Sequence, residues 1–243
     1  MISIKRIKFI RSLQHKKNRN IHDSFIVESH KDVTELLRSS YDVEELFATR
    51  DWIRDNEIPD TILVHQVTDE ELQRISSLKR SSAVLAIVKK PSDMKEFNMK
   101  GISIALDNIQ DPGNLGTIIR VCDFFGIQNI FCSNDTVDVY NPKVVQSTKG
   151  SIFRVNTIYT DIYCLIRNLK EEVDIYATVL DGENIESRNL QNDTIIILGN
   201  ESHGVSQQIL DLVDKRITIY GKGNVNSLNV AVATSIVLSK ILS

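Results

Sequence analysis

Three short loops hold the residues of this 243-residue chain whose types could do chemistry. The first is Asp111-Pro112-Gly113-Asn114, with Arg120 six residues beyond Asn114; the second is Gly199-Asn200-Glu201; the third is Ser227-Leu228-Asn229. Together they offer a guanidinium, a carboxylate, carboxamides and a hydroxyl. Arg120 has apolar neighbours in Ile118, Ile119 and Val121, which suggests a partly buried guanidinium that needs an anion; the plainer reading is a surface cation. Glu201, two residues past the glycine that follows an apolar strand, also fits a simple turn. Other chemistries lack their patterns. Gly113-Asn114-Leu115-Gly116 does not complete G-x-G-x-x-G, and no G-x-x-x-x-G-K-[ST], H-E-x-x-H or G-x-S-x-G occurs. His15, His22, His30, His65 and His203 are scattered, so no metal centre is expected. His203 alone lies beside a candidate loop.

Each loop follows a strand. Ile102–Asp107 precedes the first, the fully apolar Ile195–Leu198 the second and Arg216–Tyr220 the third. A parallel sheet covered on both faces requires such fully apolar strands. In such α/β sheets ligands lie beyond the carboxyl ends of the strands, so these loops can converge. Asn114 to Phe125 reads as a helix with Leu115, Ile118, Ile119, Val121 and Cys122 apolar and Gly126 just past its end. Further strands are expected at Ile130–Cys132 and Ile175–Leu180, the latter ending at Asp181-Gly182, and helices at Val144–Ser151 and Ile162–Leu169. The final helix, Leu228 to Leu238, carries no charge and must be buried on nearly all sides. It falls well short of the roughly 20 residues of a bilayer span, so it reads as a core or subunit-interface helix. Two readings fit its polar start: Asn226 or Ser227 is the N-cap, or Asn226, Ser227 and Asn229 line a pocket.

The first 90 residues alternate strands and helices as a small α/β module. Ser3 to Lys17 has helical spacing at Ile7, Ile10 and Leu13, broken at Asn18-Arg19-Asn20. Strands follow at Phe25–Val27, Leu46–Ala48, Ile62–Val64 and Ala83–Val88, with helices from Ser29, from Asp51 and from the capping box Thr68-Asp69-Glu70-Glu71. The polar, proline-containing stretch 91–100 separates this domain (1–90) from a second one (101–243). Charged residues at 25% and hydrophobic residues at 42% describe a globular protein. No signal-peptide pattern opens the chain. Cys122, Cys132 and Cys164 show no C-x-x-C spacing and read as buried thiols in a reducing cytoplasm. The net charge of −3 conceals an asymmetry: Lys5, Arg6, Lys8, Arg11, Lys16, Lys17 and Arg19 meet no acid before residue 20, whereas the remainder is net −10. A basic arm on an acidic body is either a phosphate-binding footprint for nucleic acid or a solvated helix face.

Taken together and in order, the loops resemble the three motifs of the SpoU (TrmH) family of RNA ribose methyltransferases, within the SPOUT superfamily. Leu106 to Arg120 resembles the first, Ile197 to Gly204 the second and Ser227 to Ala233 the third. The first half is also similar to that family's ribosomal-protein-like substrate-binding domain, notably at Leu13-Gln14-His15-Lys16-Lys17 and Phe25-Ile26-Val27-Glu28. The resemblance implies an α/β fold: a C-terminal SPOUT-type parallel sheet with a trefoil knot, plus the small N-terminal domain. It implies a homodimer packed through the knot and S-adenosylmethionine as cofactor. Gly199, Ile219 and Leu228 would contact that cofactor largely through backbone groups, with Thr178 and Leu180 adding to the pocket. Asn114, Arg120, Glu201, Ser227 and Asn229 fall on the family's catalytic positions. On this likeness Arg120 is cast as the base; because a guanidinium resists deprotonation, we expect it instead to grip the phosphate beside the target ribose, with Asn114 orienting Arg120 or the substrate and Glu201 fixing its loop or pairing with the arginine.

Two departures stand out. Ile219-Tyr220-Gly221 replaces the family's usual Ile-Pro-Met, and Ser202-His203 occupies positions where small residues are common. The implied activity is 2′-O-methylation of ribosomal RNA. The alternatives are a transfer-RNA methyltransferase, an RNA-binding protein without catalysis on the same scaffold, and a base methyltransferase of the same fold.

Overall fold

The computed structural model describes residues 2–91, 99–185, 193–213 and 215–242, which form two compact units. The first comprises Met1–Asp93 with Asp138–Arg154, the second Met94–Val137 with Val155–Ser243. Most of the stretch expected as a linker, 92–98, lies outside the described residues.

The first unit runs α1 (Ile4–Ser12), α2 (Lys16–His22), β1 (Ser24–Glu28), α3 (His30–Leu37), β2 (Val43–Ala48), α4 (Arg50–Asp55), β3 (Leu63–Gln66), α5 (Asp69–Ile75) and β4 (Val84–Lys89). Its strands lie in the order β1-β4-β2-β3, with β2 and β3 parallel and the other pairs antiparallel. The core joins Ile7, Ile10 and Leu13 to Ile26, Phe47, Leu72 and Ile87. Thr68 and Glu71 form the expected capping box on α5. The break in the basic arm comes earlier than its sequence suggests, at Leu13–His15, and α2 runs straight through Asn18-Arg19-Asn20. Side chains stabilise that break: Asn18 donates to the Ser12 carbonyl, and Arg19 to the carbonyls of Leu13 and Gln14.

The second unit begins with β5 (Ile102–Asp107), α6 (Pro112–Phe124) and β6 (Asn129–Cys132). The chain then supplies α7 (Pro142–Thr148) and a single 3-10 turn, Ser151–Phe153, which group with the first unit. There Tyr140 packs on Phe25 and Phe153 on Tyr41, with ring centroids 4.6 and 5.2 Å apart. The second unit resumes with β7 (Asn156–Tyr159), α8 (Ile162–Leu169), β8 (Asp174–Asn184), β9 (Thr194–Gly199), α9 (Gln207–Leu210), β10 (Lys215–Thr218) and α10 (Val230–Ile241). Its six strands are all parallel, in the order β10-β8-β9-β5-β6-β7. Central strands β5 and β9 bury five residues in a row, as their apolar runs require.

Three local expectations change. Strand β8 does not stop at Asp181-Gly182. A Cβ on Gly182 would lie 2.7 Å from the Ile217 carbonyl carbon, so the glycine lets β10 press against the continuing strand, where the pairing register shifts. Helix α10 begins at Val230 and its N-cap is Asn229, not Asn226 or Ser227. It also keeps an open face: Val232 is 47% exposed, whereas Val230, Ala231, Thr234, Val237 and Leu238 are buried. No helix among the described residues is long and apolar enough to cross a membrane.

Candidate active site

Because β10, β8, β9 and β5 are parallel neighbours, whatever follows their carboxyl ends is gathered on one side of the sheet. Ile219 comes just after β10, Thr178 and Leu180 sit along β8, and Gly199 ends β9 directly opposite Asp107 at the end of β5. The three polar loops open from this edge.

Side chains then tie the loops together. Asp111 caps α6 by accepting from the Asn114 N–H at 2.8 Å, with Pro112 in the first turn, where its missing N–H costs nothing. Asn114 donates through Nδ2 to Glu201 Oε1 at 2.5 Å. Its Oδ1 accepts from Asn229 Nδ2 at 2.9 Å. Asn229 in turn caps α10, its Oδ1 accepting from the N–H groups of Ala231 and Val232 at 3.0 and 3.4 Å. Two hydrogen bonds between side chains, spanning 87 and 115 residues of sequence, thus join all three loops.

The loop carrying Glu201 is built on close backbone approach. Asn200 and Gly204 exchange N–H···O bonds of 3.0 and 2.8 Å, and Gly204 holds φ +70°. A Cβ on Gly199 would fall 2.0 Å from the Gly204 carbonyl carbon, so no other residue fits that position. Asn200 secures the turn to the first loop by donating to the Asn108 carbonyl at 2.8 Å and accepting from the Ser202 N–H at 2.8 Å. The carboxylate of Asp107 accepts from the Ser206 N–H at 2.7 Å. Sequence reading singled out neither Asn200 nor Asp107 for this task. The cap signal of Asp111, an Asp followed by Pro at the start of an apolar helix, was open to it.

Asn114, Glu201 and Asn229 are therefore brought together, while Arg120 and Ser227 stand apart from the hydrogen-bonded chain. Arg120 is exposed and forms no ion pair among the described residues. The partly buried guanidinium and the Arg120–Glu201 pair are both corrected, since Glu201 bonds to Asn114 instead. Ser227 is exposed on the approach to α10, as are Glu201 and His203 on their loop. Thr178 donates to the Ile197 carbonyl at 3.0 Å, and Ile219 is half-buried. Leu180 and Leu228, at 70% and 50% exposure, stand open to solvent.

The basic arm is smaller than its composition. Lys5, Lys8, Arg11, Lys16 and Lys17 face solvent. Arg6 pairs with Glu45, and Arg19 is only 2% exposed, held by Asp138 and two carbonyls, so its expected role on RNA is replaced by a structural one. Cys122 and Cys132 are buried, and burial pushes both thiols well above their ordinary range, whereas Cys164 is exposed rather than buried. Among the described residues no cluster of His, Cys, Asp and Glu could hold a metal.

Residues 101–239 match the family model described as the SpoU rRNA Methylase family, and residues 5–86 match an MRM3-like substrate binding domain. The 23S rRNA (guanosine(2553)-2′-O)-methyltransferase RlmP of Bacillus subtilis is 27% identical over 235 residues, covering 96% of this chain and 94% of that protein. A solved structure from Porphyromonas gingivalis, assigned to the TrmH family of RNA methyltransferases, superposes with a TM-score of 0.91 at 32% identity, over 99% of this chain and 98% of the other. The AdoMet-bound rRNA methyltransferase of Sinorhizobium meliloti superposes with a TM-score of 0.86 at 26% identity, over 99% and 95% of the two chains.

Proposed function

This chain belongs to the SpoU rRNA methylase family, and from that premise we propose that it transfers a methyl group from S-adenosylmethionine to a ribose 2′-hydroxyl of ribosomal RNA. The observation that carries the reading is the Asn229–Asn114–Glu201 chain, which joins three loops beyond the carboxyl ends of neighbouring strands and commits both ends of the Asn114 carboxamide. Arg120 lies about 9 Å further along α6 at the usual rise per residue, and its guanidinium forms no ion pair among the described residues.

The residues present fit the cofactor. Leu180 and Leu228 are large and exposed, as apolar walls for the adenine ring of the cofactor would be, and Gly199 ends β9 half-buried. Gly199, Ile219 and Leu228 would hold the cofactor, with Thr178 and Leu180 completing the wall. S-adenosylmethionine, when bound, supplies a methyl carbon on a sulfonium, open to in-line attack. The rest falls to the protein. An arginine side chain donates hydrogen bonds and accepts none, so the 2′-hydroxyl proton leaves to solvent and not to Arg120. Arg120 clamps the phosphate next to the target ribose through two parallel N–H donors and lowers the cost of negative charge developing on the 2′-oxygen. Asn114 positions Glu201 and Asn229 rather than touching Arg120, and Glu201 fixes the second loop. Ser227 and Asn229, on the third loop, bound the acceptor side.

Support for RNA as substrate comes from the family and from the solvent-facing Lys5, Lys8, Arg11, Lys16 and Lys17. Support for ribosomal over transfer RNA comes from the N-terminal match and from the likeness to RlmP along nearly the whole chain. The same reading includes a homodimer. Phe124 at the end of α6, 83% exposed, and Val232 on α10 leave apolar surface uncovered on helices that pack on each other. It also includes a C-terminal trefoil knot, supported by the return of α10 from edge strand β10 to α6, and a cytoplasmic setting, consistent with three unpaired thiols.

The test is incubation with methyl-labelled cofactor and unmodified ribosomal RNA. The wild-type chain should label the RNA. Arg120→Lys should lose at least about 100-fold in turnover with cofactor affinity nearly intact. RNA left unlabelled by the wild type would remove the proposed function, and near-normal turnover in Arg120→Lys would remove the bidentate clamp.

A further inference from the structure

Within the first unit, between the opening turn of α1 and the β2–β3 edge of the sheet, lies a cavity of about 460 Å³. That size is within the range of small-ligand sites, about 300–1,000 Å³. Arg6, Glu45, Phe47, Val64, His65 and Gln66 are among its lining residues. It lies outside the three loops already described, and β3 is the sheet's edge strand.

The chemistry of this lining is specific. Phe47 is buried and forms the floor. The imidazole of His65 lies on it almost parallel, with ring centroids 4.6 Å apart and planes 17° apart. Glu45 receives both the Arg6 guanidinium and His65 Nε2, the latter at 2.9 Å. The Glu45 carboxylate accepts from His65 Nε2, while burial, and then the neighbouring guanidinium, hold His65 below its ordinary value. The His65 side chain remains 39% exposed.

The result is a flat aromatic surface, backed on one face by Phe47 and fixed in orientation by Glu45. The arginine's charge is already answered by Glu45, so a free phosphate has little to gain inside the cavity. A planar heteroaromatic ring does, since base–aromatic stacking is the usual way unpaired bases are held. Phosphate partners are available outside it: Lys5 and Lys8 are exposed on α1, whose first turn lines the cavity.

We infer that this cavity takes one unpaired base of the RNA substrate, stacked on His65, with the adjoining backbone phosphates on Lys5 and Lys8. The inference rests on the reading of the chain as an RNA methyltransferase and gives its N-terminal unit a defined recognition site.

The experiment uses the full chain and a single-stranded RNA nonamer carrying 2-aminopurine, whose fluorescence is quenched by stacking. The wild type and His65→Phe should quench it, and His65→Ala should not. In methyl transfer to ribosomal RNA transcribed in vitro, His65→Ala should raise KM for RNA about 10-fold, leaving kcat and KM for the cofactor unchanged, and His65→Phe should restore it. Equal quenching by all three proteins, or none by any, overturns the inference. So does a KM that rises equally in His65→Phe, because the hydrogen bond to Glu45 would then be what matters. A wild type that quenches the nonamer yet transfers no methyl group contradicts the proposed function alone and upholds the cavity as a base site.

Discussion

Asn114 is the residue on which the site turns, because its carboxamide can serve both neighbours only in one orientation, oxygen toward Asn229 and nitrogen toward Glu201. Asn114→Asp would set a second carboxylate against Glu201. Turnover should then fall about 100-fold in a single-turnover methyl-transfer assay, while the melting temperature changes little. Gly199→Ala is expected to be far more damaging to the fold. A methyl group 2.0 Å from the Gly204 carbonyl carbon cannot be accommodated without moving backbone, and a loss above about 4 kcal/mol should appear in denaturant unfolding. Asn114, Glu201 and Asn229 were legible as polar residues after apolar strands, but their mutual contact was not, since each is far from the others in sequence. Arg120 misled for a local reason. Adjacent residues on a helix do not share a face, so buried Ile118 and Ile119 say nothing about the side beside them. Arg19 misled for a distant one, because its partner Asp138 lies 119 residues away.

Elements announced themselves wherever burial was simple. β5 and β9 are apolar because helices cover both faces of a parallel sheet, and the cap of α5 is written in Thr68 and Glu71. By contrast β7 is four residues long and only partly buried, leaving little pattern to read. At the start of α3, Asp32 is buried with Oδ1 unpartnered among the described residues, its other oxygen accepting from Ser29. Burial holds this carboxyl above its ordinary value, against weaker opposition from the Ser29 hydrogen bond. The folded chain therefore keeps the proton to higher pH than the unfolded chain, and stability is lost as pH rises from about 4 through the folded value. Asp32→Asn removes this loss. Its melting temperature relative to wild type should be more favourable at pH 8 than at pH 4, and an equal difference at both would contradict the assignment. The loop of Glu201 depends on Asn200 in the same element-wide way. Asn200→Ala should lower kcat while Asn200→Asp, which cannot donate to the Asn108 carbonyl, should not rescue it.

At the scale of the whole molecule, the two units divide the work: solvent-facing cations and a stacking cavity in one, the three-loop site in the other. The division was partly visible in the charge asymmetry of the chain. That Asp138–Arg154 groups with the first unit was not, because the segment lies between strands of the second and its anchors, Tyr140 and Phe153, pair with aromatic residues over 110 positions away. The uncovered face of α10 predicts self-association. Sedimentation equilibrium should give a dimer for the wild type and a monomer for Val232→Glu, and a monomeric wild type at micromolar concentration would contradict the homodimer. The central claim is narrower: the gathered loops deliver a methyl group to a sugar hydroxyl. RNA methylated by this chain with labelled cofactor can be digested in alkali, which cleaves only beside a free 2′-hydroxyl. The account predicts label in alkali-resistant dinucleotides; label released wholly in mononucleotides would place the methyl group on a base and contradict it.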